Sequence, residues 1–204
     1  MKKLSTNKII IGILSLQGDF KEHSIALEKL NIQHINVRKK NDLDQIDGLI
    51  IPGGESTTII KLLKRTKLFD LVQKKIFNGL PTWGTCAGAI LLAKKVTNMD
   101  QQTLKILDIE IERNGYGRQV NSFTEEVHIG TNKKTTFPGI FIRAPKIKKI
   151  TKNISCVGML SNKEIVAIEY KNIFATTFHP ELTDDLSMHE YFIKKIVNKD
   201  LGSL

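Results

Sequence analysis

The pentapeptide Gly84-Thr85-Cys86-Ala87-Gly88 directly follows an apolar, strand-like run. A cysteine framed by small residues between a strand and a helix is typical of a nucleophile elbow, a sharp turn that holds the sulfur above a sheet. The flanking residues must be small because a larger side chain would collide with the helix that leaves the turn. The feature therefore favours an α/β fold with an exposed, reactive thiol over the buried, inert thiol that is common for free cysteines.

The pattern of the whole chain agrees with an α/β fold. Up to the elbow, strand-like runs alternate with amphipathic runs, which predicts a parallel sheet covered by helices on both faces. From about Leu104, several short strands follow with few helices, which indicates antiparallel additions and hairpins around Asn162-Lys163 and Lys171-Asn172. The predicted strands are Ile9–Leu14, His34–Val37, Gly48–Ile51, Pro81–Gly84, Ile106–Glu112, Glu125–Ile129, Ile140–Ile142, Cys156–Leu160, Ile165–Glu169 and Ile173–Phe178. The predicted helices are Phe20–Leu30, Thr57–Lys64, Leu68–Phe77, Ala87–Lys95 and Met188–Val197.

Length and composition limit the organisation of the protein. The 204 residues suffice for one sizeable core, so we expect a single domain over residues 1–204. Two cysteines, Cys86 and Cys156, are too few for a disulfide framework, and Cys156 lies in an apolar strand pattern typical of a core residue. The apolar run after Met1-Lys2-Lys3 is short and lacks a cleavage site, and no run is long enough to span a membrane. We expect a cytoplasmic protein.

The net charge of +10 does not by itself indicate nucleic-acid binding. The positive charges are nearly all lysines, scattered singly and in pairs, whereas nucleic-acid surfaces usually add arginines and stacking aromatic side chains. We therefore expect no nucleic-acid partner, while docking of the basic surface on an acidic protein remains open. The sequence contains no CxxC pair or histidine-rich cluster with the spacing of metal ligands, so no metal site is expected.

The segment Phe178-His179-Pro180-Glu181 supplies an imidazole and a carboxylate two residues apart. On an extended segment these side chains lie on the same face, and Pro180 favours that conformation. The carboxylate could then fix the tautomer of the ring while the other ring nitrogen faces the thiol. Cysteine, histidine and glutamate together suggest acyl transfer through a thioester. The other histidines are expected to be structural or at the surface: His23, His34, His128 and His189.

The segment Pro52-Gly53-Gly54-Glu55-Ser56 follows the third predicted strand and precedes a helix. Proline and paired glycines are also ordinary turn chemistry, so a simple turn is one interpretation. The other is that the glycines let backbone N–H groups approach a ligand, and one of these with the N–H of Ala87 could form an oxyanion hole. The segment lacks the Gly-Lys-Ser/Thr of a Walker loop.

Taken together, these motifs resemble the glutaminase subunits of pyridoxal 5′-phosphate synthase, which are class I (triad) glutamine amidotransferases. The similarity covers nearly the whole chain. It is loose over about the first seven residues and around Asn98–Thr103 and Gly130–Phe137, which are expected to be surface loops. The Gly-Arg-Gln, Ile-Arg-Ala-Pro and Leu-Gln-Gly stretches make the match specific to this subunit. The motifs that carry it are Leu16-Gln17-Gly18, Pro52–Thr57, Gly84–Gly88, Arg113 through Gly117-Arg118-Gln119, Phe141-Ile142-Arg143-Ala144-Pro145 and Phe178–Leu182.

The resemblance implies a three-layer, flavodoxin-like fold with a central, mostly parallel sheet and antiparallel additions in the C-terminal half. It also implies that L-glutamine is hydrolysed to glutamate and ammonia by Cys86, His179 and Glu181, with the N–H groups of Gly54 and Ala87 as oxyanion hole. The residues that would hold glutamine are Gly53, Gly54, Glu55, Ser56, Arg113, Ile142 and Arg143. The family further implies that ammonia passes to a separate barrel-shaped synthase subunit, that docking orders the oxyanion loop, and that Gln17 contributes to this activation. It implies no cofactor.

Three alternatives remain at this point. A glutaminase subunit of another synthase, such as the histidine or anthranilate type, would share the three catalytic residues but not the Gly-Arg-Gln and Ile-Arg-Ala-Pro stretches. A cysteine hydrolase or peptidase would act on another amide without any partner. A non-catalytic binding module would keep the fold with an inactive triad.

Overall fold

The computed structural model describes residues 9–117, 122–130 and 135–201. Within these ranges, the main sheet has nine strands in the order β2-β1-β3-β4-β12-β11-β10-β7-β8, and β5, β6 and β9 form a smaller sheet. The strands are β1 Ile10–Leu14, β2 Gln33–Val37, β3 Gly48–Ile51, β4 Thr82–Thr85, β5 Ala93–Val96, β6 Leu107–Glu112, β7 Ser122–Ile129, β8 Thr135–Ile142, β9 Lys146–Ile150, β10 Ser155–Met159, β11 Ile165–Tyr170 and β12 Ile173–Thr176. The helices are α1 Phe20–Lys29, α2 Lys40–Leu43, α3 Ser56–Arg65, α4 Phe69–Phe77, α5 Ala87–Leu92 and α6 Ser187–Leu201, with a 3₁₀ turn at Pro180–Leu182.

The main sheet is parallel on one side and antiparallel on the other. Strands β2, β1, β3, β4 and β12 run parallel to one another. From β12 outward, β11, β10, β7 and β8 pair antiparallel. Since β7 to β12 all come from the C-terminal half, the predicted mostly parallel sheet with antiparallel additions is confirmed. The predicted hairpins are also confirmed, and Lys163 and Lys171 turn there with positive φ.

Helices cover both faces of the sheet and enclose two apolar cores. Along β3, Leu49 and Ile51 belong to one core and Ile50 to the other, because alternate strand residues point to opposite faces. The first core is completed by α3, α4 and α5, and the second by α1 and α6. This arrangement is the predicted three-layer α/β fold. It brings the ends of β1, β3, β4 and β12, where the candidate residues lie, to one region of the molecule.

The predicted helix Ala87–Lys95 is wrong over its last turn. Helix α5 ends at Leu92, and the chain continues as β5, which pairs with β6. Ala93 and Val96 are buried, whereas Lys94 and Lys95 face solvent near Asp108 and Glu110 of β6. Residues with high helix propensity thus form a strand here because pairing with β6 overrides local preference. Helix α2 and strand β9 were also missed. The expectation of a surface loop at Gly130–Phe137 is wrong at its end, because β8 begins at Thr135 and Phe137 is buried.

Cys156 is not a core residue as predicted, because it lies half-buried on β10. Trp83, in contrast, is fully buried between Phe174 and Phe192. No helix within the described ranges is long and apolar enough to cross a membrane. The expectation of a single domain over residues 1–204 remains a prediction.

Candidate active site

The turn at Cys86 has the geometry of a nucleophile elbow. Cys86 lies between β4 and α5 with φ 45° and ψ −100°, a conformation that is costly for a residue with a side chain. A Cβ atom on Gly84 would lie 2.6 Å from the Gly88 backbone, and one on Gly88 would collide with the Ile51 carbonyl. The two glycines therefore allow α5 to pack closely against β3 and β4, as the turn requires. The Cys86 N–H donates to Thr176 O over 2.8 Å, which ties the elbow to β12.

The structure brings His179 and Glu181 together, but not on an extended segment as predicted. Pro180 begins a 3₁₀ turn, and the turn brings Glu181 Oε1 to 2.8 Å from His179 Nδ1. Both side chains are buried. The Cys86 thiol is among the groups that raise the pKa of His179, so the sulfur and the ring are neighbours. With Nδ1 directed at the carboxylate, Nε2 is the nitrogen available to the sulfur.

A second carboxylate, that of Asp19, also contacts His179 and was missed by the sequence analysis. Asp19 Oδ2 lies 3.3 Å from Nδ1 of His179. Burial is the largest influence on the ring and lowers its pKa, but hydrogen bonds with Asp19, Cys86 and Glu181 outweigh it and raise the pKa of His179 to about 12. The ring is thus held as an imidazolium beside the thiol. The only sequence signal was an aspartate at a helix start, which ordinarily indicates a cap.

Two of the histidines that were expected to be structural or at the surface, His23 and His189, lie buried behind Glu181. His23 Nε2 lies 3.4 Å from Glu181 Oε2, and His23 Nδ1 lies 3.0 Å from His189 Nε2. All three side chains are buried. Burial, followed by the charge of His189, lowers the pKa of His23, and burial lowers the pKa of His189 to about 4. Both rings are therefore neutral at physiological pH. Single residues on separate helices carried no sequence signal for this cluster.

The paired glycines pack directly against the predicted triad. A Cβ on Gly53 would collide with His179 Cε1, and Gly54 has φ 144°, which glycine adopts readily. Gln17 Oε1 accepts a hydrogen bond of 2.8 Å from the Glu55 N–H. The Asp19 N–H likewise donates to Gly53 O over 3.1 Å. The loop of residues 53–55 is thus fastened to the segment after β1, which places Gln17 beside the predicted oxyanion loop.

Glu55 and Arg113, two of the predicted glutamine-binding residues, form an ion pair through one guanidinium nitrogen. Arg113 NH2 lies 2.7 Å from both carboxylate oxygens of Glu55. The Asn98 side chain pairs with the backbone of Arg113, donating to its carbonyl over 2.7 Å and accepting from its N–H over 3.1 Å. Asn98–Thr103 was expected to be merely a surface loop, yet Asn98 fixes the position of Arg113, and Gln101 Oε1 accepts from Ser56 Oγ over 3.0 Å.

The remaining predicted site residues are Ile142, Arg143 and Ala87. The Ile142 carbonyl is 3.9 Å from Cys86 Sγ, and the backbone of β8 is held there because the His179 N–H donates to Ile140 O over 2.8 Å. Arg143 is exposed and has φ 45°, so the chain turns sharply as it leaves β8. Ala87 is the first residue of α5, and its N–H therefore has no partner within the helix. Arg118 and Gln119 of the Gly-Arg-Gln stretch lie outside the described residues.

Asp19, His179 and Glu181 offer three possible ligand atoms within 4.8 Å of one another. The contacts of these groups are those of a protonated ring between two carboxylates, so we assign them no metal. The chemistry the site offers is nucleophilic: a cysteine sulfur at a helix start, an imidazolium that can return its proton, and backbone N–H groups nearby. An arginine and a carboxylate beside it can bind an amino acid's charged groups.

Comparisons with known proteins agree with this chemistry. Residues 13–198 match the model of the SNO glutamine amidotransferase family. The pyridoxal 5′-phosphate synthase subunit PdxT of Fervidobacterium nodosum is 50% identical, with 92% of this chain and 97% of that protein covered. PdxT of Clostridium botulinum is 47% identical over 93% and 98% of the two chains. A crystal structure of a glutamine amidotransferase has a TM-score of 0.85 at 41% identity, with 91% and 98% covered. A putative GMP synthase subunit from Thermoplasma acidophilum shares the fold, with a TM-score of 0.69 at 16% identity and 97% and 98% covered.

Proposed function

Because this chain belongs to the SNO glutamine amidotransferase family, we propose that it is the glutaminase subunit of a pyridoxal 5′-phosphate synthase and that Cys86, His179 and Glu181 form its catalytic triad. The observation that carries the assignment of residues is the 2.8 Å contact between His179 Nδ1 and Glu181 Oε1, made by a ring whose pKa the thiol of the strained Cys86 helps to raise. Relatives at 47–50% identity support the choice of synthase over the histidine or anthranilate type.

In the proposed reaction, the Cys86 thiolate attacks the side-chain amide carbon of L-glutamine and forms a carbon–sulfur bond. The developing oxyanion is stabilised by the N–H groups of Gly54 and Ala87. His179 donates a proton from Nε2 to the departing nitrogen, so that ammonia leaves and a glutamyl thioester remains. Glu181 accepts the Nδ1–H of His179 and stabilises the orientation of the ring throughout.

The thioester is then hydrolysed by the same residues in reverse roles. Neutral His179 takes a proton from water as the water oxygen attacks the thioester carbon. The carbon–sulfur bond breaks, glutamate is released, and the thiolate–imidazolium pair is restored. Burial of His179 and Glu181 keeps bulk water from competing for their hydrogen bonds.

We assign the α-carboxylate of glutamine to Arg113 and its α-ammonium to Glu55. A guanidinium matches a carboxylate in a bidentate manner, and a carboxylate matches an ammonium. Ser56, Ile142 and Arg143 complete the proposed pocket, since Ser56 follows Glu55 directly and the Ile142 carbonyl faces Cys86 Sγ. The pair Glu55–Arg113 therefore lies ready for a zwitterionic amino acid rather than for a peptide.

The proposed partner is the barrel-shaped synthase subunit, which would receive the ammonia. The hydrogen bond between Gln17 Oε1 and the Glu55 N–H gives docking a route to the oxyanion loop, because a shift of Gln17 would release the backbone next to Gly54.

Release of ammonia from L-glutamine tests this proposal, measured with the protein alone and with a pyridoxal 5′-phosphate synthase subunit added. We expect a large rise on addition that disappears in Cys86→Ala and persists in Cys156→Ala, the matched cysteine control. Equal activity without the partner would contradict the proposed pathway. Activity retained in Cys86→Ala would contradict the proposed nucleophile.

A further inference from the structure

His23 lies at the centre of a buried polar cluster that the proposed reaction does not use directly. Its Nε2 atom is 3.4 Å from Glu181 Oε2 and 3.3 Å from Thr85 Oγ1, and its Nδ1 atom is 3.0 Å from His189 Nε2. Trp83 packs against both rings, with centroid distances of 5.6 Å to His23 and 4.9 Å to His189. Water is therefore excluded, and the polar atoms must satisfy one another.

The contacts fix which nitrogens carry protons. An ionised Glu181 can only accept, so the His23 nitrogen that faces it must be the donor. Neutral His23 then has no proton on Nδ1, and this nitrogen accepts a hydrogen bond from Nε2–H of His189. This leaves Nδ1 of His189 without a proton, in agreement with its lack of a hydrogen-bond partner among the described residues. The opposite tautomers would bury an N–H donor without an acceptor, which is the costlier arrangement.

We propose that His23 is a positioning residue for the triad: it donates Nε2–H to Oε2 of Glu181 and, backed by His189, holds the carboxylate so that Oε1 takes the Nδ1–H of His179. Glu181 Oε2 has no hydrogen-bond partner within the described part of the chain, and His23 Nε2, 3.4 Å away, is placed to supply one after a small adjustment. His23 also contacts Thr85, the residue before Cys86, so it links both halves of the triad. The inference rests on the proposed function, because it assigns His23 a role only through Glu181.

The electrostatic setting of Glu181 makes this donor important. Burial is the largest influence on Glu181 and raises its pKa, whereas its hydrogen bond with His179 lowers it. The titratable groups around Glu181 are His179, Asp19 and His23, and those around His23 are His189, His179 and Glu181. A donor to Oε2 favours the ionised carboxylate, so loss of this donor raises the pKa of Glu181.

The test compares His23→Leu, which removes the donor, with His23→Gln, whose amide can still donate to Glu181. In the complex with the synthase subunit, His23→Leu should lower kcat by about tenfold to a hundredfold, the loss typical of a hydrogen bond to a charged group, with KM nearly unchanged. The acidic limb of its pH–rate profile should move to higher pH. His23→Gln should keep most of the kcat and leave the acidic limb close to its original pH. His34→Leu, the matched histidine control on β2, should change neither kcat nor the acidic limb.

A double-mutant cycle with Glu181→Gln separates positioning from packing. If His23 acts through the carboxylate, His23→Leu costs less than about threefold in the Glu181→Gln background. Equal losses in both backgrounds, or equal losses for His23→Leu and His23→Gln, would overturn the inference while leaving the triad intact. If circular dichroism shows that His23→Leu does not fold, His23→Asn replaces it, because its shorter amide does not reach Oε2. Activity retained in Cys86→Ala would instead show that the proposed function is wrong.

Discussion

The carboxylate of Asp19 lies 3.3 Å from Nδ1 of His179, the nitrogen that Glu181 also contacts. The two carboxylates differ in their surroundings, since Glu181 is buried whereas Asp19 is about one-third exposed. Asp19 lies directly between Gln17-Gly18 and the first residue of α1, and its N–H donates a hydrogen bond to Gly53 O. The charge on His179 is therefore coupled to the segment that also fastens the predicted oxyanion loop.

Asp19→Asn should move the alkaline limb of the kcat/KM pH profile to lower pH by about one unit. The pKa of His179 is raised to about 12, and loss of one of its acceptor carboxylates lowers it. Steady-state assays across the alkaline range measure this shift. Asp70→Asn, which removes an exposed carboxylate on α4, is the control and should leave the limb in place. An unmoved limb in Asp19→Asn would show that Asp19 does not influence the catalytic imidazole.

The stability of the protein should fall as the pH drops from about 6.5 to 4. Burial lowers the pKa of His189 from 6.5 to about 4, so in this range the unfolded chain binds a proton that the folded chain does not. Stability is thus greatest above pH 6.5 and is lost as the pH falls toward 4. Between pH 7 and pH 4.5, the free energy of unfolding should fall by about 2–3 kcal/mol less in His189→Gln than in the unaltered protein. Urea unfolding at both pH values measures this difference. His34→Gln is the control, and an unchanged pH dependence in His189→Gln would contradict the buried neutral state.

Gly54→Ala should lower kcat by roughly 10²–10³-fold, the usual effect of losing one oxyanion-hole donor. A Cβ at Gly54 would lie 2.7 Å from Gln17 Oε1 and 2.9 Å from the Gly18 Cα, so the loop must move. Gly130 also has positive φ, but a Cβ there would lie in open space. Gly130→Ala therefore controls for backbone strain, and we expect it to keep full activity. Full activity in both variants would refute the role of this loop.

Arg113→Lys should raise KM for glutamine about tenfold or more while kcat changes little, because lysine keeps the charge but cannot offer two parallel N–H groups to the α-carboxylate. Initial rates over a range of glutamine concentrations give both constants. Arg65→Lys, an exposed arginine in the last turn of α3, provides the matched control. An unchanged KM in Arg113→Lys would show that the Glu55–Arg113 pair is only structural.

Local signals in the sequence were sufficient for most of the fold. Strand Gly48–Ile51 was predicted at its exact bounds because four buried residues stand between a turn and Pro52. The same reasoning failed at Ala93–Val96, whose residues favour a helix locally but pair with β6. Local propensity contains no information about such a long-range partner.

The candidate site shows the same limit. Cys86 and Glu181 could be predicted because each lies in a short motif whose chemistry is readable from adjacent residues. Asp19, His23 and Asn98 could not, because their roles depend on distant segments: Asp19 and His23 meet the His179–Glu181 turn from α1, and Asn98 meets Arg113 across a loop. Such contacts arise only when the sheet has formed.

The central claim is that hydrolysis passes through a thioester on Cys86, and trapping with hydroxylamine tests it most directly. In the complex with the synthase subunit, an acyl-enzyme partitions between water and the added nucleophile. We predict that γ-glutamyl hydroxamate forms at the expense of glutamate, and that both products are lost in Cys86→Ala but not in Cys156→Ala. Glutamate formation without any enzyme-dependent hydroxamate, or hydroxamate formation that survives Cys86→Ala, would contradict the account.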